Sequence, residues 1–161
     1  MATYPQELQL LLLIDPAGIH QHDCELNRLI KAGKNPLIVE CVDDFDELMD
    51  LALEEKPFFP WPIKSVMAEK AVKNKAINEK IFSDLTGAHQ YVFQEELKKI
   101  SASTLILWGT EDRLVHVDNA QVFNQLIPHS KKVFLDGIGH MPMLEAPEES
   151  SKIYLEFISS L

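Results

Sequence analysis

The sequence predicts an α/β fold built on a parallel sheet, on three observations: short apolar runs without alternation, turn residues that close each run, and helical periodicity in between. Leu8 to Ile14 is almost wholly apolar, the pattern of a strand covered on both faces, and Asp15-Pro16-Ala17-Gly18 ends it. Thr104 to Trp108 repeats the pattern and stops at Gly109-Thr110, and Lys132 to Leu135 does so again before Asp136-Gly137. Between the second and third runs, Val122, Phe123, Leu126 and Ile127 share one helical face; after the third, Ile153, Tyr154, Phe157, Ile158 and Leu161 do the same. From Thr104 onward the chain therefore reads strand, helix, strand, helix, the order of βαβ units.

The segment between the first and second runs is too long for a simple crossover and holds no convincing strand. Asp43 and Asp44 can start a helix whose apolar face is Phe45, Leu48, Met49 and Ala52. Pro57, Pro60 and Pro62 interrupt the chain beyond that helix, and Lys64 to Ile81 and Ser83 to Leu97 are expected as two further helices. The expected organisation is a sheet-bearing core from residues 1–20 and 100–161, with residues 21–99 forming a helical cap over it. The stiff stretch Pro57-Phe58-Phe59-Pro60-Trp61-Pro62 suits core packing or the lining of an apolar pocket, and core packing is the stronger expectation.

Composition excludes several classes. With 161 residues, 46% hydrophobic and 25% charged, the chain can build one ordinary core, and its net charge of −10 with pI near 5.0 argues against nucleic acid or anionic membrane as partners. The longest apolar run, Leu10 to Ile14, is far short of the roughly 20 residues that span a bilayer, so no transmembrane segment is expected. The first residues lack the charged and small-residue features of a signal peptide; cytoplasmic is the default location, although an export signal in a preceding segment would not be legible. Cys24 and Cys41 are expected as buried or partly buried free thiols. His20, His22, Asp23 and Cys24 have no further ligand cluster at a useful spacing and read as a polar loop. His89, His116 and His129 stand in no motif. Asp43, Asp44, Asp46 and Glu47 read as an acidic helix start rather than a calcium site, because apolar residues recur through them at helical spacing. No metal and no cofactor is expected.

Two loops carry the chemistry. Asp112 follows a strand end in Trp108-Gly109-Thr110-Glu111-Asp112-Arg113, and His140 follows the next strand end in Asp136-Gly137-Ile138-Gly139-His140-Met141-Pro142. In open α/β sheets the loops beyond the carboxyl ends of strands face one crevice, which brings a carboxylate and an imidazole together. A buried carboxylate can fix the tautomer of a histidine that takes a proton from a hydroxyl nucleophile. Gly137 and Gly139 are expected to give the histidine loop positive φ and room for the ring. Asp112 is preferred to its neighbour Glu111 as the acid.

The stretch Ser103 to Leu161 resembles the C-terminal strands of the α/β-hydrolase superfamily, in which Gly-x-x-Asp-x-x-Val carries the acid and Gly-x-Gly-His the histidine. Tyr4-Pro5-Gln6-Glu7-Leu8 through Ile14-Asp15-Pro16-Ala17-Gly18 resembles the helix end and strand that follow the nucleophile in that family. Asn35-Pro36-Leu37-Ile38-Val39 with Asp44-Phe45-Asp46-Glu47-Leu48 is similar to the cap of bacterial lipases and monoacylglycerol-lipase-like esterases. The resemblance implies a partial α/β-hydrolase fold and a serine hydrolase acting on small apolar or lipid-like esters without a cofactor, with Asp112 and His140 as acid and histidine.

The sequence departs from the family at one point: no Gly-x-Ser-x-Gly occurs in the chain. Since enzymes of this architecture commonly run to about 250 residues, the chain is expected to be a C-terminal portion, inactive alone unless another polypeptide supplies the nucleophile-bearing half. The other expectation is a noncatalytic remnant or interaction module. An unpaired apolar edge on the first strand would then recruit a complementing half or a second copy of the chain.

Overall fold

The computed structural model describes residues 7–19, 21–86 and 92–161. Its sheet has three parallel strands in the order β1-β2-β3, with β1 at Leu10–Ile14, β2 at Ser103–Gly109 and β3 at Ser130–Leu135. Leu10 pairs with Ser103 and Ile14 with Leu107, while Thr104 pairs with Ser130 and Gly109 with Leu135. All three carboxyl ends therefore reach one rim, and the loops carrying Asp112 and His140 leave from it. The parallel α/β prediction holds. The burial of β1 does not follow its apolar sequence: its residues are only half-buried, because β1 pairs on one side alone in the described sheet, whereas β2, flanked by both neighbours, is buried from Thr104 to Gly109.

Between β1 and β2 run α1 (Glu25–Lys31), α2 (Val42–Ala52), α3 (Trp61–Lys73), α4 (Lys75–Thr86) and α5 (Val92–Leu97). The α2 start is a capping box. The Asp44 carboxylate accepts the N–H of Cys41 at 3.0 Å and of Glu40 at 2.8 Å, a local use for the acidic cluster. Phe45 and Ala52 are buried on the expected face, with Leu48 and Met49 packed beside them. The expected helix from Lys64 to Ile81 divides at Asn74, whose backbone closes α3 before α4 begins. The break expected near Ser83 is absent, since Ser83 lies inside α4. Core packing of the proline-rich stretch is corrected too. Phe58 and Trp61 are 89% and 80% exposed, and only Phe59 joins a core cluster. Trp61 and Pro62 open α3, where fixed proline φ suits the first turn. Ile77, Ile81 and Leu85, spaced by a helical turn on α4, are likewise exposed, so α3 and α4 present apolar surface. No helix among the described residues is long and apolar enough to cross a membrane.

The remaining helices are α6 (Asn119–Leu126), α7 (Pro142–Glu145) and α8 (Pro147–Ser159); α6 packs on Ile106 and Trp108 and α8 on Leu107, alternate residues of β2, so the two helices cover opposite faces of the sheet. Phe123 is fully buried against Trp108, their ring centroids 6.1 Å apart, in a cluster with Ile106, Ala120, Ile127 and Ile19. On α8 the sequence face is narrower than expected. Phe157 is buried and Ile153 packs on Leu107, Leu135 and Ile138, but Ile158 and Leu161 are exposed at the end of the chain. Cys24 is buried and its thiol donates to the Leu114 carbonyl at 3.0 Å, whereas Cys41 is exposed at the start of α2, against the expectation that both thiols would be covered. His20, His89 and the Tyr4-Pro5-Gln6 part of the family resemblance lie outside the described residues.

Candidate active site

Asp112 and His140 meet. The imidazole Nδ1 lies 2.9 Å from Asp112 Oδ2 across the rim joining β2 and β3. The carboxylate is otherwise completely engaged: Oδ2 also accepts Trp108 Nε1–H at 3.1 Å, and Oδ1 accepts the N–H groups of Leu114 at 2.8 Å and Val115 at 2.9 Å. Four donors fill the acceptor capacity of a carboxylate and leave it no rotational freedom. With Oδ2 accepting, Nδ1 is the donor, and in the neutral ring that leaves the lone pair on Nε2. The acid side chain is fully buried while the imidazole is 27% exposed, so the ring is anchored from inside and open on its outer side. Such an arrangement can take a proton from a hydroxyl placed at Nε2 and stabilise the imidazolium that results. Glu111, the neighbouring carboxylate, is exposed; only its backbone N–H is used, bonding to Ile138 O at 2.9 Å.

Backbone contacts fix the two loops together. Gly137 has φ +69°, as expected, but Gly139 does not need positive φ; it is required by close approach. A Cβ at Gly139 would lie 2.7 Å from Ala52 O and 2.8 Å from Glu54 N, and a Cβ at Gly109 would lie 2.1 Å from Gly139 O. The close packing lets His140 N–H bond to Ala52 O at 2.8 Å, tying the histidine to the end of α2.

Two side chains unremarked in the sequence brace the same junction. Glu145 accepts four backbone N–H groups, those of Glu54 (2.8 Å), Glu55 (2.9 Å), Gly139 (3.0 Å) and Met141 (3.1 Å). Arg113, next to the acid, donates to Asp50 O at 2.8 Å and Leu53 O at 3.0 Å at the carboxyl end of α2 and pairs with Glu54 at 2.7 Å. Neither role has a local signature, since α2 and the two rim loops lie more than fifty residues apart in sequence.

A third acid, Asp15, stands at the end of β1. It is 3% exposed, takes φ +42°, and accepts Gly109 N–H through Oδ1 at 3.0 Å, while its Oδ2 is buried with no hydrogen-bond partner among the described residues. One of its oxygens, one of Asp112 and a ring nitrogen of His140 lie within 4.8 Å of one another. Burial pushes the Asp15 carboxyl up to about 9 against the pull of the Gly109 N–H, and the charges of Asp112 and Glu145 push the same way as burial. In sequence Asp15 reads as a turn residue, and the only signal of another role is an acid placed directly at a strand end. Elsewhere on the surface, His22 stacks on His116 with centroids 5.4 Å apart, and Asp118 lies beside them, a grouping that sequence distance concealed.

Adjacent strand ends of a parallel sheet thus hold a buried carboxylate and a partly exposed imidazole in contact on an α/β scaffold. The sequence model of the alpha/beta hydrolase fold family matches residues 45–147, and the chain belongs to that family. Among curated relatives, Lipase 3 of Moraxella sp. (strain TA144) is 26% identical over 163 residues, covering 99% of this chain and 51% of its own length. A monoacylglycerol lipase of Mus musculus is 25% identical over 169 residues, covering 99% and 50%. A solved structure of a membrane phospholipase A, described as a bacterial virulence factor, superposes with a TM-score of 0.92 at 36% identity, covering 99% of this chain and 51% of that one. The chain thus spans about half the length of the curated relatives it matches.

Proposed function

We propose that this chain is the acid-and-histidine portion of a serine-type carboxylic ester hydrolase of the lipase and esterase kind, with residues 1–20 and 100–161 forming part of its core and residues 21–99 its cap. The observation that carries this reading is the 2.9 Å contact between His140 Nδ1 and the fully engaged carboxylate of Asp112. In the proposed reaction Asp112 holds the ring with its proton on Nδ1, and His140 Nε2 takes the proton of a nucleophilic hydroxyl as it attacks the ester carbonyl. The imidazolium then returns the proton to the departing alcohol, and the neutral ring activates water for deacylation. The hydroxyl comes from a segment bearing Gly-x-Ser-x-Gly, which this sequence does not contain. The exposed apolar residues of α3 and α4 favour a lipid-like or small apolar ester as substrate.

The test has two arms. The purified chain assayed with short-chain aryl esters is expected to give only background turnover, unchanged by His140→Ala; turnover abolished by that substitution would overturn the assignment of the nucleophile to another segment. Co-expressed with a nucleophile-bearing half from a relative, the chain is expected to restore ester hydrolysis that His140→Ala reduces by about 10³-fold or more. Restored activity insensitive to both His140→Ala and Asp112→Asn would sink the hydrolase reading.

The half-buried, singly paired β1 favours a second reading in which the chain acts as an interaction module, held to a complementing segment or a second copy through that edge.

A further inference from the structure

Asp15 is a buried titratable group that the reaction above does not use, and its surroundings are built rather than incidental. Its N–H bonds to Leu107 O at 3.0 Å, continuing the sheet one residue past β1, and its φ of +42° turns the side chain back over the rim, where Oδ1 takes Gly109 N–H. A non-glycine residue seldom holds positive φ, and aspartate is among those that tolerate it. The second oxygen is left buried and without a partner among the described residues, and the carboxyl group stands with one oxygen within 4.8 Å of an Asp112 oxygen and a His140 ring nitrogen.

The charges around that carboxyl group do not balance. From the loop after β2 comes the Asp112 carboxylate, from α7 the Glu145 carboxylate, and from the loop after β3 the imidazole of His140. No lysine or arginine of the described residues bonds either Asp15 oxygen, and the nearby Arg113 is committed to the end of α2. A buried, uncompensated carboxylate beside two others takes up a proton instead of staying charged.

We propose that Asp15 is a positioning residue of this site, a neutral carboxylic acid whose buried proton offsets the flanking carboxylates and leaves Asp112 as the charge that faces His140. The role deepens the hydrolase reading and rests on it. Protonated, Asp15 stands as a neutral carboxyl group with one oxygen within 4.8 Å of an oxygen of Asp112 and a ring nitrogen of His140, near enough to govern the local charge without taking a hydrogen bond from the fully engaged Asp112. Ionised, it would add a second negative charge beside the imidazole and hold the imidazolium in the resting site as strongly as in the reaction, which blunts a general base. The direction of its proton affinity, raised to about 9 chiefly by burial, agrees with the geometry.

The experiment is a nuclear magnetic resonance titration of the isotopically labelled full chain. The Asp15 carboxyl carbon is expected to titrate near 9, several units above an ordinary aspartate. The His140 Cε1–H resonance is expected to show an inflection at that same pH, and Asp15→Asn should remove it while leaving the rest of the spectrum in place. An Asp15 carboxyl that titrates in the usual range near 3.8, or a His140 resonance blind to its titration, overturns the proposal; both are read on the unaltered protein, so a variant that fails to fold does not shelter it. The pair itself is read separately, through the low-field Nδ1–H signal of His140, expected in the unaltered chain and lost in Asp112→Asn. If that signal is absent from the unaltered chain the pair falls, and this role for Asp15 falls with it by a route distinct from a normally titrating Asp15.

Discussion

At position 139 there is room for a hydrogen and nothing larger, and this steric fact places the histidine more firmly than any property of the ring. The Cβ of an alanine would sit 2.7 Å from Ala52 O and 2.8 Å from Glu54 N, both backbone atoms that cannot swing aside. Gly139→Ala is therefore expected to cost about 1–3 kcal/mol in urea unfolding and to displace the His140 N–H from Ala52 O; unchanged stability would mean that the end of α2 yields. Asp15 supplies a second expectation at this scale. Unfolded, the acid titrates at 3.8, and folded at about 9, so between those values the folded state holds the extra proton and stability falls as pH rises. Below that window both states are protonated and the difference vanishes. Asp15→Asn removes the titration, so its stability relative to the unaltered chain is expected to improve by up to about 5 kcal/mol on going from about pH 4 to about pH 8. Parallel stability curves for the two proteins would show that Asp15 titrates normally. Neither residue was legible in this role from the sequence: glycine advertises positive φ more readily than close approach, and Asp15-Pro16 reads as a turn.

Between elements, α2 and the two rim loops behave as one unit because their links are hydrogen bonds of high multiplicity. Glu145 serves four backbone N–H groups at once, two from the segment after α2 and two from the histidine loop, and Arg113 closes the same junction from the acid loop. Removing the carboxylate with Glu145→Ala leaves four donors without that acceptor. Hydrogen exchange should then accelerate by about tenfold or more at Glu54, Glu55, Gly139 and Met141, since each tenfold step needs only about 1.4 kcal/mol of lost local stability. Exchange confined to its original rates would assign the bracing to Arg113 alone. The strands and α6 were legible because apolar runs and helical spacing are local signals, and so was α2, whose acidic start and apolar face occur together. The division of α3 from α4 at Asn74 and the exposure of Phe58 and Trp61 were not. A helix break without proline or glycine leaves little trace, and an apolar segment carries no mark of what, if anything, covers it.

For the whole molecule, the pairing of Asp112 with His140 could be read from motif order and from the rule that strand ends share a crevice, whereas Arg113, Glu145 and Asp15 depend on contacts that only the assembled sheet creates. The same sheet sets the last expectation. Strand β1 is Leu-Leu-Leu-Leu-Ile, pairs only with β2 in the described sheet, and carries no charge to discourage further pairing. Leu11 and Leu13 pack into the cluster around Trp108 and Phe123, and Leu12 into that around Leu107 and Leu135, but Leu10 belongs to neither. A lysine at Leu10 should therefore blunt the edge with little loss of core. By size-exclusion chromatography with light scattering, the unaltered chain is expected to run as a dimer or larger species and Leu10→Lys to shift it toward monomer. A second lysine at a position far from the edge, replacing the exposed Leu155 of α8, controls for net charge and is expected to leave the assembly as it was. If both variants dissociate alike, association is colloidal and β1 is not its seam; if the unaltered chain is already a monomer, the free edge recruits nothing at the concentrations tested.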